Sequence, residues 1–373
     1  MARREKNRTL SNLIFRLFLW IVTKINPNLS HRLMNWGLRD GSFPAKTRFD
    51  PVLTVHLWGK TFKNPVGVGA GVDKRGNIID RLIEIGWGFG EFGSYTLEAE
   101  YPMKIIQYLK RNQAILVQSM GYRNPGVSTI VPVLAARRHL PSVVGVSITS
   151  TSQNEEANIK QGSLMPYDEE FAMMAAKVAP YCDYIALNFA HPDCELYKAI
   201  CEKSIILPVI QAVQKAIRTA APLSTPKLLV KLPLDLTEME IPLVADTMMQ
   251  AGVDGLILGG VMNLAKQSKG VLPDQKIRSG MLSGRPLYKY ALRLVGQMYL
   301  HTNGKIPIIA AGGISTGVEA FEMIKAGASL IQMNAAMVYK GPNVANDVNK
   351  ELARLLKSRG YKAVQEAVGS AYI

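Results

Sequence analysis

Eight short apolar segments, alternating with helical or polar stretches, restrict the folds open to this chain more than any other feature. They fall at 65–68, 88–92, 143–148, 183–187, 227–232, 255–258, 306–310 and 329–333 and are rich in Val, Ile and Leu. Strands covered on both faces read as continuous apolar runs, so these belong in a sheet with helices outside it. Helical stretches at 168–178, 238–250, 286–301 and 318–325 lie between them. Eight βα units in one sheet place the chain in the α/β class and predict a closed (β/α)8 TIM barrel, with an open doubly wound sheet as the alternative. A small hairpin, 54–58 with 61–63, precedes the first strand. The longest insertions, 95–141 and 261–284, follow strands two and six, which in a barrel places them at the C-terminal face where active sites are built.

The first 45 residues differ from the rest. Four basic residues fall within positions 1–9, and the run Leu13 to Val22 is apolar but interrupted by Arg16, with Lys24 beyond it. That run is too short to span a bilayer, which needs about 20 residues. Basic flanks, Trp20 and one apolar face suit an N-terminal helical hairpin lying in a membrane interface, or one packed on its own barrel. The expected division is a membrane-associating segment at 1–45 and a barrel at 46–373, joined by a polar linker at 39–50. With 44 Lys and Arg against 29 Asp and Glu the net charge is +15. An anionic membrane surface accounts for the excess better than nucleic acid, for which no binding signature occurs. Three cysteines without a CxxC pair indicate a reducing compartment. Together these features place the protein peripherally on the cytoplasmic side of a membrane.

The run from Asn64 to Lys74 reads as a strand entering a glycine-rich turn. Gly67, Gly69 and Gly71 let backbone approach a flat ligand, and Lys74 offers a point charge for a phosphate or carboxylate. Late in the chain, Gly312-Gly313 follows strand seven and Asn334-Ala335-Ala336 follows strand eight. Those are the loops with which (β/α)8 enzymes hold a cofactor phosphate. His191, Asp193 and Cys194 crowd one loop at a spacing unlike that of metal ligands, so no metal site is expected. The glycine run is not a dinucleotide-binding fingerprint either.

These motifs, with Val230-Lys231 followed by Asp235 and with Leu282-Ser283-Gly284-Arg285-Pro286-Leu287, resemble those of dihydroorotate dehydrogenases. The likeness is to the membrane-associated, quinone-dependent class and runs from about Leu13 to Gly341. It implies an FMN-dependent oxidoreductase that oxidises dihydroorotate to orotate and passes the electrons to quinone. By the same resemblance FMN would be held by Ala70, Gly71, Ser94, Ser147, Asn188, Lys231, Gly259, Gly284, Gly313, Asn334 and Ala335. Lys231 would set a cation near the flavin N1/C2 carbonyl, where negative charge develops on reduction.

The substrate side departs from the family pattern. The loop that there reads Asn-x-Ser-Ser-Pro-Asn is here Asn188-Phe189-Ala190-His191-Pro192-Asp193, so His191 stands where the general base belongs. Imidazole, with an unperturbed pKa of about 6.5, is a competent base. Lys74, Asn124 and Asn188 would orient the substrate, with Arg123 and Asp193 replacing asparagines beside it. Gly260-Val261 stands for an Asn-Thr pair. Three functions remain open at this level: a divergent dihydroorotate dehydrogenase, a paralogue acting on another small molecule with the same flavin chemistry, and a flavin-binding membrane-associated protein without turnover.

Overall fold

The computed structural model describes residues 37–38, 49–101, 106–110, 113–119, 121–137, 142–151, 165–192, 194–263 and 280–372. The expected N-terminal helical hairpin and Asp193 lie outside these residues.

The eight anticipated segments form one closed parallel barrel: β1 (Val66–Val68), β2 (Phe89–Tyr95), β3 (Val143–Ile148), β4 (Tyr184–Asn188), β5 (Lys227–Leu232), β6 (Gly255–Leu258), β7 (Ile308–Ala311) and β8 (Ala328–Met333). Each strand pairs with the next in sequence, and β8 closes onto β1 through Ile331 opposite Val66. Helices wrap the outside, among them α1 (Ile79–Glu84), α2 (Tyr167–Val178), α3 (Lys203–Ala220), α4 (Glu240–Ala251), α5 (Tyr288–His301), α6 (Gly317–Lys325), α7 (Ala335–Lys340) and α8 (Val344–Ser358). α6 starts where the sequence says it should. Thr316 accepts a hydrogen bond from the Glu319 amide, and the Glu319 carboxylate accepts one from the Ser315 amide.

Small residues inside the barrel make room for large ones. A Cβ on Gly145 of β3 would sit 2.1 Å from the Tyr184 ring, and one on Gly67 would sit 2.4 Å from Phe89. The predicted hairpin forms from Val55–Leu57 and Lys60–Phe62 and closes the N-terminal end. Phe62 meets Phe89 edge to face at 5.4 Å, Trp58 Nε1 donates to the Asp254 carbonyl at 2.9 Å, and Lys60 pairs with Asp183. Burying an aromatic ring of this kind stabilises by roughly 1.5–3 kcal/mol, so the plug is a substantial contact.

The opposite end is roofed. Ile106–Lys110 and Ile115–Ser119, from the insertion after β2, join Met281–Gly284 and Met262–Asn263, from the insertion after β6, in a four-stranded antiparallel sheet. Both insertions therefore lie at the C-terminal face, as predicted. Their pairing into one sheet has no local sequence signal, because its partners are far apart in the chain. No helix among the described residues is long and apolar enough to cross a membrane.

Candidate active site

A cleft of about 250 Å³ opens between the strand ends and this roof. It is lined by Ala70, Gly71 and Lys74 after β1, Ser94 on β2, Asn188 at the end of β4 and His191 beyond it. Lys231 on β5, Gly284 in the roof, Gly313 after β7 and Asn334 and Ala335 after β8 complete the predicted set found there. The β4–β5 register places Asn188 directly opposite Lys231.

The Lys74 loop owes its shape to Asp73. This buried carboxylate accepts hydrogen bonds from the amides of Arg75, Gly76, Ile78 and Ile79 at 2.7–3.1 Å. Four backbone donors on one carboxylate fix the turn and cap the start of α1. Asn334 then ties this loop to the last strand: its Oδ1 accepts from the Gly69 amide at 2.9 Å and its Nδ2 donates to the Ala70 carbonyl at 2.6 Å. Gly71 has φ +106°, and a Cβ there would project into the cleft with only Asn334 Nδ2 within 4 Å.

Below these loops lies a polar layer inside the barrel. Glu91 is fully buried and accepts from the Ala70 amide, Tyr184 Oη and Gln332 Nε2 at 3.3, 3.1 and 2.9 Å. A buried carboxylate needs these donors, since leaving it unpaired costs several kcal/mol. The bonds aim Gln332 so that its Oε1, buried in the cleft lining, has no hydrogen-bond partner among the described residues. Lys231, also buried, makes no ion pair among those residues. An unpaired acceptor and a buried cation in one wall call for a ligand that supplies a donor and an electron-rich edge.

A side-chain relay joins β2, β3 and β4. Ser94 and Ser147 hydroxyls are 2.7 Å apart, and Asn188 Nδ2 donates to Ser94 Oγ at 2.9 Å. Ser147 thus reaches the cleft only through Ser94. Gly259 is absent from the lining: a Cβ there would lie 2.4 Å from that of Ala311, so this residue is a packing contact and its neighbour Gly260 faces the cleft.

At the phosphate-binding end expected from sequence, Gly313 (φ +73°) leaves no room for a side chain, since a Cβ would stand 2.6 Å from the Tyr288 amide nitrogen at the start of α5. The first turn of α7 has no side-chain cap because the Asn334 amide is engaged with the β1 loop. Ala335 and Ala336 of that turn line the cleft.

The substrate side is uneven. Lys74 is held down to a pKa of about 8, chiefly by burial; the Glu100 carboxylate opposes that shift and the Arg123 guanidinium adds to it. Arg123 itself is exposed and lies outside the lining. Asn124 is buried behind the cleft. Its Oδ1 accepts from the amides of Thr96 and Gly126, and its Nδ2 donates to Thr96 Oγ1 and the Tyr122 carbonyl. With both ends of the amide engaged inside the loop, Asn124 acts here as a brace. The wall beside His191 is formed by Ala190, Gly260 and Val261, none of which carries a side-chain hydrogen-bonding group. Gln118, Tyr122 and Gln332 also line the cleft and were not anticipated. Gln332 had a signal, being a polar residue inside an apolar strand, as Glu91 is.

A family model described as dihydroorotate dehydrogenase matches residues 52–356. The chain belongs to the dihydroorotate dehydrogenase family. It is therefore a flavin-dependent oxidoreductase. A dihydroorotate dehydrogenase (quinone) of Rhodospirillum rubrum is 31% identical over 359 residues, covering 95% of this chain and 94% of that protein. The mitochondrial dihydroorotate dehydrogenase (quinone) of Mus musculus is 30% identical, covering 92% of this chain and 87% of that one. Among solved structures, that of the dihydroorotate dehydrogenase of Eimeria tenella in complex with ferulenol superposes with a TM-score of 0.84 at 28% identity, covering 93% of this chain and 96% of that one. The dihydroorotate dehydrogenase likeness thus extends through the barrel and both insertions.

Proposed function

We propose that this chain oxidises L-dihydroorotate to orotate, with FMN in the cleft and a quinone as the final acceptor. The observation that carries the reading is the convergence, in a family-matched barrel, of the buried Lys231 without an ion pair and the Gln332 Oε1 without a hydrogen-bond partner among the described residues, and the glycine cradle at Gly71 and Gly313. These suit a flat ring with polar edges and a phosphate tail. FMN bound there would accept a hydride and pass electrons on singly or in pairs. Ala70, Gly71, Ser94, Asn188, Lys231 and Gly284 would hold its ring system, and Gly313, Asn334 and Ala335 its phosphate. Ser147 would support Ser94 from behind.

In this reading His191 takes the proton from one substrate carbon as the adjacent carbon gives up a hydride. Lys74 meets the substrate carboxylate, and Arg123 and Asp193 adjust the charge around it. The segment 1–45 would rest on the cytoplasmic side of a membrane and admit the quinone.

One observation favours a second reading. The Ala190–Gly260–Val261 wall offers no side-chain donor or acceptor to the amide edge of a dihydropyrimidine, which suits a different small anion processed by the same flavin chemistry. Anaerobic mixing of the yellow protein with L-dihydroorotate decides between the two. Rapid bleaching of the flavin supports the first. A flavin that stays oxidised with dihydroorotate, yet bleaches with dithionite, selects the second.

A further inference from the structure

The base assigned to His191 sits on a short loop whose backbone is anchored at both sides. The Ala190 amide donates to Asn188 Oδ1 at 3.1 Å, and the His191 carbonyl accepts from the Cys194 amide at 2.8 Å. Against the imidazole lies the ring of Tyr122, with centroids 4.5 Å apart and planes inclined at 45°. Tyr122 is 3% exposed, lines the same cleft and comes from a different loop, the one leaving the roof strand Ile115–Ser119.

That loop is itself braced. Asn124 Nδ2 donates to the Tyr122 carbonyl at 2.5 Å, and Asn124 exchanges two backbone hydrogen bonds of 2.9 Å with Glu100. The Tyr122 ring therefore comes from a braced loop and packs directly against the imidazole. A tilted aromatic pair at this separation is attractive beyond the area it buries. That attraction favours the imidazole rotamer that meets the Tyr122 ring.

We propose that Tyr122 is a positioning residue for the reaction: its ring face selects the imidazole orientation from which His191 reaches the substrate. This rests on the reading of His191 as the base. The roof sheet then contributes to proton transfer without touching the proton, and binding of substrate beneath the roof and readiness of the base become parts of one arrangement.

The test is a double-mutant cycle on flavin reduction by L-dihydroorotate, measured by stopped flow with the flavin-loaded full chain. Tyr122→Leu is expected to lower the limiting rate constant about tenfold while the substrate Kd changes less than twofold. Tyr122→Phe keeps the ring and is expected to restore the rate to within about twofold. In a His191→Ala background, already slowed, Tyr122→Leu should slow reduction no further. An equal slowing by Tyr122→Leu in both backgrounds, or a Tyr122→Leu rate equal to wild type, overturns the positioning role while leaving the base intact. A His191→Ala protein that reduces its flavin at the wild-type rate overturns the base and the positioning together. Should Tyr122→Leu lose its flavin, Tyr122→Met is read by the same criteria.

Discussion

The two ends of the cleft are built from different materials. At the β7–β8 end the walls are backbone: Gly313 held against the start of α5, the uncapped first turn of α7, and Gly69 and Ala70 clamped by Asn334. At the His191 end they are side chains, and several are not those usual in the family. Backbone donors survive replacement of the side chains that carry them, so a cradle of this kind tolerates exchange of the residues around it. A side-chain clamp has no such reserve: each exchange, such as Gly260-Val261, removes a donor or acceptor outright. A flavin site can therefore persist while the partner facing the flavin is free to change.

The largest expected effect lies at the side-chain end. His191→Ala should slow flavin reduction about 10²–10⁴-fold with the flavin still bound, read by stopped-flow absorbance. A comparable loss of flavin would mean that the two ends are not separable. Gly313→Val attacks the backbone end. Its positive φ and the 2.6 Å approach to the Tyr288 amide should weaken flavin binding about 30–100-fold, measured by titrating the deflavinated protein, with substrate affinity of the remaining holoenzyme unchanged.

The third test is pH. Lys74 loses its proton at a pKa of about 8 in the folded, ligand-free protein, so its attraction for an anionic substrate fades above that point. kcat/KM should fall about tenfold per pH unit beyond it, and Lys74→Arg should move that limb to higher pH. The sign for stability is opposite. Between about 8 and the ordinary lysine value of 10.5 the unfolded chain keeps a proton that the folded one has released, so the shift makes stability rise with pH across that window. Smallest of all, Val261→Thr adds one hydroxyl to the apolar wall. If dihydroorotate lies there, its Kd should improve about fivefold, worth about 1 kcal/mol; an unchanged Kd would place the amide edge elsewhere.

The barrel was legible in the sequence because strands buried on both faces must be apolar throughout, and each of the eight segments overlaps an observed strand with ends that differ by three residues at most. The backbone end of the cleft was legible for a related reason: glycine at Gly71 and Gly313 reports a conformation or an approach that other residues resist. The side-chain end was harder to read. Asn124 has the residue type of a ligand, yet its amide is engaged by Thr96, Tyr122 and Gly126, which depends on how one loop folds back on itself. Tyr122 and Gln118 reach the cleft only because the roof sheet carries them there.

That roof has a consequence for how the molecule comes into being. Ser283 Oγ donates to the Leu116 carbonyl across a sequence separation of 167 residues, and strands that distant cannot pair until the chain between them is largely in place. The intervening β3 to β6 account for half of the barrel wall. Contacts so remote in sequence carry a high closure entropy and form late. On a ribosome the cleft stays open to solvent until residues past Gly284 have emerged, which places flavin capture at the end of biogenesis and leaves a nascent or truncated chain unable to keep its cofactor.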